Sequence, residues 1–276
     1  MIRPFQVLVL LSLLLVTPLL PAADQGTLRM ATTTSTDNSG LLGVLLPAFE
    51  KETGYKVHVI AVGTGKALRM GRDGDVDLVL VHAPGAEKNF VDKGYGVDRR
   101  DVMYNDFVIV GPTEDPAGIA VSGDASDALE RISRTGALFI SRGDDSGTHK
   151  KELGLWQAAR IEPRGNWYRE AGQGMGKVLQ MSGELDAYTL TDRGTWLAYL
   201  GRSPLKLLFE GDPRLYNPYG IIAVNPGRYP DANYEGATRL IRWITSPEGQ
   251  SLIGSFEIAG DPLFTPSANT GHLAVH

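Results

Sequence analysis

The chain has 276 residues, a formal net charge of −5, 33 glycines and no cysteine. An acidic balance argues against general binding to nucleic acid or to an acidic membrane, where a basic face is expected. The lack of cysteine excludes disulfides and thiolate metal sites, and 42% hydrophobic content suits a globular α/β protein of one large or two medium domains.

Residues 1–23 stand apart from the fold. Arg3 gives a basic start, an apolar run extends from Phe5 to Leu20, and Pro21-Ala22-Ala23 closes it with small residues. This reads as a secretory signal peptide cleaved near Ala23. A membrane anchor calls for a longer run without Pro18, and no Cys follows the run to carry a lipid. The expected product is soluble and exported.

Leu28–Ala31 is a short strand leading into Ala31-Thr32-Thr33-Thr34-Ser35-Thr36-Asp37-Asn38-Ser39-Gly40, which holds six hydroxyl side chains and no Lys or Arg. A helix N-terminus leaves backbone N–H groups free and carries a partial positive charge. Hydroxyls packed around it make a donor cage suited to a compact oxyanion; the plain alternative is an N-cap with a Ser/Thr-rich lead-in. From Ser39, Leu41, Leu42, Leu45, Leu46 and Phe49 mark one helix face, with Ser39 as N-cap, Gly54 as stop and Pro47 inside.

Val57–Val62 is the next strand, followed by Gly63-Thr64-Gly65 and a short helix at Lys66–Met70. Nucleotide loops do not fit, because Ile60 and Ala67 occupy positions where a P-loop needs Gly and Ser or Thr. Asp77–His82 is a continuous apolar strand of a parallel sheet. Pro84 starts a helix that Gly94 ends, and His82 sits just past the strand. Repeated strand–turn–helix units predict ligands at the carboxyl ends of the strands.

Asn105–Pro112 and Asn217–Pro226 are two similar Asn-led strands closed by Pro. They read as crossings between two lobes, dividing the chain into 24–108 plus 218–276 and 109–217. Within the second lobe, a helix at Asp124–Thr135 precedes the strand Leu138–Ile140. That strand runs into Ser141-Arg142-Gly143-Asp144-Asp145-Ser146-Gly147-Thr148-His149 and then a helix carrying Leu153, Trp156 and Ala159. Arg142 offers a fork that grips an oxyanion bidentately, and Ser146 and Thr148 add hydroxyls. An Arg142 pair with Asp144 or Asp145 is the structural alternative. Asp145, Ser146 and His149 are also the residue types of a hydrolase triad, although Gly-Asp-Asp-Ser-Gly is not a nucleophile elbow and triad members rarely share one short run. Gly172–Gly176 is a further Gly-rich helix entry. Tyr188 and Thr189 on the following strand are within reach of a ligand. Lys206–Phe209 is a strand, Tyr234–Ile244 and Pro247–Phe256 are helices, and the tail from Pro262 is expected to wrap the surface.

Together, Ala31–Thr36, Gly63-Thr64-Gly65, Val81-His82-Ala83-Pro84 and Ser141–His149 resemble the tungstate-binding proteins of bacterial ABC transporters, over nearly all of the chain past the signal peptide. The resemblance implies a type II periplasmic binding protein of α/β class, with two lobes, each a mostly parallel sheet flanked by helices, and two crossover strands. It implies a periplasmic, non-catalytic monomer without cofactor that captures an oxyanion between the lobes and delivers it to a membrane permease. Carried over by motif, the ligand contacts fall among Thr33, Thr34, Ser35, Thr64, Gly65, Arg142, Ser146 and Thr148. Tungstate is the implied ligand, with molybdate, phosphate or sulfate as alternatives. Phosphate-binding relatives tend to carry an acidic acceptor where this chain has His82-Ala83-Pro84. A protonated phosphate needs such an acceptor and a fully deprotonated oxyanion does not; Asp144 and Asp145 remain open as acceptors.

Overall fold

Strand β1 (Gly26–Thr33) anchors the first half of the fold. The computed structural model describes residues 26–268, so the signal-peptide segment expected at 1–23 lies outside the described residues. The chain continues through α1 (Thr34–Asn38), α2 (Leu42–Thr53), β2 (Tyr55–Val62), α3 (Thr64–Asp73), β3 (Leu78–Val81) and α4 (Pro84–Asp92). Both β2 and β3 pair with β1 in parallel. All four residues of β3 are buried, as its unbroken apolar sequence requires.

The hydroxyl run does not cap the long helix. Gly40 takes a left-handed φ of 83° and separates the run, which forms a short helix of its own, from the expected helix, whose N-cap position is Leu41 and not Ser39. Thr33 caps the short α1, and Ser39 ends it, its hydroxyl donating to the Thr36 carbonyl. Helix α2 then buries Leu42, Leu45, Leu46 and Phe49 and stops at left-handed Gly54.

Strand β4 (Gly96–Gly111) is far longer than the sequence pattern indicates. After it come α5 (Ala125–Thr135), β5 (Phe139–Ser141), α6 (Gly147–Ala158), β6 (Tyr168–Glu170), α7 (Met175–Glu184), β7 (Thr189–Asp192), α8 (Arg193–Tyr199), β8 (Lys206–Phe209) and β9 (Tyr216–Val224). Over Gly96–Asp106, β4 pairs with β9; over Phe107–Gly111 it pairs with β7 and β8. It thus belongs to two lobes in turn, and β9 returns beside it with Asn217 opposite Asn105. The parallel pairs are β1–β2, β1–β3 and β5–β6, whereas β4 and β9 are antiparallel to every strand they touch. The result is a mixed sheet, because a chain that crosses and returns must reverse direction.

One apolar core runs through this crossing. It joins Leu28, Phe49, Leu80, Tyr219 and Trp243 of the first lobe to Ile140, Val178, Leu179 and Trp196 of the second. A separate cluster under α5 and α6 includes Leu129, Phe139, Trp156 and Tyr188.

After β9 come α9 (Tyr234–Ile244), α10 (Pro247–Gly254), β10 (Glu257–Ile258), β11 (Asp261–Pro262) and β12 (Thr265–Pro266). The tail expected to wrap the surface enters the core instead. Leu263 and Phe264 are each 3% exposed, β12 pairs with β4, and the Phe264 ring meets Tyr219 edge-on at 5.5 Å. Two adjacent apolar residues are enough to draw a Pro/Ser-rich tail inward.

Candidate functional site

The carboxyl ends of β1, β2 and β3 meet the second lobe across a cleft. From β1, Thr33 is buried and its Oγ1 accepts the Thr36 N–H at 3.2 Å. The same oxygen lies 2.7 Å from Thr36 Oγ1, 3.1 Å from Ser35 Oγ and 3.2 Å from His82 Nε2. His82, at the end of β3, also lies 3.3 Å from Ser35 Oγ. From β2, Gly63 caps α3, so buried Thr64 and exposed Gly65 stand at that helix's N-terminus.

The second lobe faces these groups with the N-terminus of α6. Ser146 caps it, accepting the His149 N–H, and buried Thr148 lies in its first turn. Gly147 closes the gap. A Cβ placed there would come within 3.3 Å of His82 Cε1 and 3.5 Å of Thr64 Oγ1. The bare glycine lets α6 approach the first lobe this closely, and the cleft is closed around it.

A cavity of about 400 Å³ opens beside this contact. Thr34, Ser35, Asn38 and Ser39 line it from the first lobe, and Arg142, Gly174, Gly176, Gly194, Thr195, Tyr199 and Arg202 from the second. Among the described residues, Arg142 and Arg202 are its charged lining residues and no carboxylate lines it. Gly174 caps α7, and Gly176 leaves room for the Tyr199 hydroxyl. The first turns of α7 and α8 therefore add backbone donors to the cavity wall.

Arg142 forks onto Asp144, with Nε 3.1 Å from Oδ2 and Nη2 on the same oxygen. Asp144 Oδ1 accepts the Ser146 N–H at 3.2 Å. Burial opposes ionisation of Asp144, but the hydrogen bonds of Ser146 and the charge of Arg142 prevail and hold its carboxyl below the usual value. Asp145 instead pairs with Lys150 at 3.2 Å on the surface.

The sequence-derived residues thus fall into three groups. Thr34, Ser35 and Arg142 line the cavity. Thr64, Gly65 and Thr148 stand at the two helix ends beside it. Thr33 and Ser146 cap their helices and do not line the cavity. Tyr188 and Thr189 do not reach it: the Tyr188 hydroxyl donates to Asp115 and the Thr189 hydroxyl to the Ile140 carbonyl. No hydrolase triad forms either. Ser146 Oγ meets the backbone of His149, and the His149 ring accepts from the Asp145 N–H. Asn38, Thr195, Tyr199 and Arg202 were not singled out by sequence. Thr195 had a local signal, since Asp192 ends a strand and caps the next helix through it.

Residues 20–248 match the family model for the PBP superfamily domain. The chain belongs to the PBP superfamily. Within this superfamily it is 51% identical over 248 residues to the tungstate-binding protein TupA of Peptoclostridium acidaminophilum, covering 88% of this chain and 87% of that one. The solved tungstate-binding protein TupA from Desulfovibrio alaskensis G20 superposes with a TM-score of 0.81 at 49% identity, over 88% of this chain and 99% of that one. The tungstate ABC transporter structure from Geobacter sulfurreducens gives 0.78 at 57% identity, over 85% and 100%.

Proposed function

We propose that this PBP-superfamily protein is the periplasmic receptor of an ABC transporter, capturing tungstate between its lobes and presenting it to the membrane permease. The observation that carries the reading is the cavity lining: two arginines, hydroxyls, glycines and helix N-termini, and no carboxylate. Such a wall replaces the water of a fully deprotonated dianion with fixed donors. The relatives named for tungstate supply the choice of that anion over molybdate, which is of nearly equal size.

Phosphate fits less well. Its protonated oxygen wants an acceptor, and Asp144, the carboxylate held by Arg142, does not line the cavity. The contacts we assign are Thr34, Ser35, Arg142 and the helix ends at Thr64, Gly65 and Thr148. The protein acts as a monomer, without a cofactor and without catalysis. The lobes divide at 24–108 plus 218–276 and 109–217, close to where β4 changes partners. Donors from both lobes make the closed form the one that the anion favours.

Titration calorimetry with tungstate, molybdate, phosphate and sulfate tests the reading. Tungstate is expected to bind tightly and phosphate weakly. Sub-micromolar phosphate binding without a tungstate response overturns it.

A further inference from the structure

His82 lies where three parts of the molecule meet. Its Nε2 faces Thr33 Oγ1 and Ser35 Oγ in the hydroxyl loop. Its Nδ1 lies 2.9 Å from Asn217 Oδ1 on β9. Asn217 Nδ2 donates in turn to Asn105 Oδ1 on β4 at 2.7 Å. The ring stacks on Tyr219 at 4.8 Å, and Gly147 of the other lobe packs against its edge. One hydrogen-bonded path therefore runs from the first loop to both crossover strands.

The path fixes its own protons. Asn217 gives its N–H to Asn105, so its oxygen is the acceptor for His82, and Nδ1 carries the ring proton. In the neutral ring Nε2 then accepts. Thr33 Oγ1 receives the Thr36 N–H and lies 2.7 Å from the Thr36 hydroxyl and 3.1 Å from the Ser35 hydroxyl. Nε2 thus takes a proton from the Thr33 or the Ser35 hydroxyl, and the hydroxyls of the loop order around the ring. Ser35 also lines the cavity, so the ring reaches the ligand space through it.

We propose that His82 is a positioning residue of the anion site: its ring orders the hydroxyls of Thr33 and Ser35 and ties them to both crossover strands, so that anion capture and lobe closure share one path. This rests on the oxyanion reading above.

A pH profile separates positioning from packing. Burial holds the imidazole below its ordinary value; Lys151 and Arg142 act in the same direction, while Asn217 and Asp192 oppose them. Lys151, Arg142 and Asp192 are the charged groups that face the ring, from α6, its preceding loop and the α8 cap, and the Tyr219 phenol stacked on it from β9 is held neutral by burial. A bound dianion favours a proton on Nε2, and that attraction outweighs reorienting one hydroxyl. Lowering the pH from 8 to 5.5 should therefore tighten tungstate binding, by at most tenfold per pH unit.

The test is calorimetry with sodium tungstate across that range, on the wild type and on His82→Gln, in buffers of differing ionisation heat. Proton uptake and a pH slope in the wild type, both lost in His82→Gln, are expected, together with about tenfold weaker binding in the variant. Tungstate binding by the wild type without proton uptake overturns this proposal alone, and that measurement needs no variant to fold. An identical slope in His82→Gln also overturns it. No tungstate binding by the wild type overturns the oxyanion reading, and this proposal with it.

Discussion

Removing the Arg142 guanidinium probes the cavity most directly. The side chain is 13% exposed and uses two of its five N–H groups on Asp144, which leaves three for an anion. Asp144 therefore aims the fork and does not consume it. Arg142→Ala deletes a charge-assisted contact of roughly 1.5–3 kcal/mol, or about tenfold to 150-fold in affinity. It also strands the Asp144 carboxylate near the dianion, which places the loss toward the upper end. Asp144→Asn in the same chain removes that repulsion, so the double variant should recover part of the loss. Calorimetry with tungstate reads both numbers. An unchanged dissociation constant in Arg142→Ala removes Arg142 from the site. A double variant weaker than the single one refutes the role given to Asp144.

Further substitutions test the cleft and the fold. Gly147→Ala puts a methyl 3.3 Å from His82 and 3.5 Å from Thr64. The His82 ring must give by a few tenths of an ångström, so tungstate binding should weaken by about 1 kcal/mol in calorimetry; unchanged affinity would refute the contact. Thr148→Val keeps the shape of a buried side chain and removes its hydroxyl. Affinity should fall about tenfold without loss of melting temperature, and equal affinity would exclude that hydroxyl. Glu152 is 2% exposed and accepts from Ser141, Trp156 and Tyr168, yet burial still raises its carboxyl above the usual value. A raised folded value stabilises fully below the unfolded value and loses that stability as pH rises through the folded one. Glu152→Gln should thus raise the melting temperature more at pH 8 than at pH 5. An equal change at both pH values would contradict this.

Local signals carried much of the fold. Gly54, Pro84 and Asp124 each mark a helix boundary through their own backbone or side-chain chemistry, and each boundary appears in place. The full length of β4 was hidden, because the charged run Asp98-Arg99-Arg100-Asp101 in its first half breaks the period-two apolar pattern of a strand. The tail was misread for a related reason: composition over a window conceals two apolar residues that find a pocket. At the site, hydroxyl and arginine motifs were visible because they are consecutive in sequence. Arg202 and Tyr199 were not, because nothing local distinguishes a cavity-facing residue on α8 or just beyond it from any other surface residue. The part played by His82 depends on Asn217, 135 positions away, and on Asn105 beyond it. Only the crossing of the two strands brings them together.

The apolar core that continues through the crossover has a thermodynamic consequence. Leu80, Tyr219 and Phe264 pack in the same cluster as Val178 and Trp196. The two halves therefore do not melt as independent units, since exposing one face of the cluster strips contacts from the other. A single calorimetric transition, with van't Hoff and measured enthalpies in agreement, is the expected behaviour. A fragment spanning 109–217 alone would leave that shared face in water and should not hold a cooperative fold.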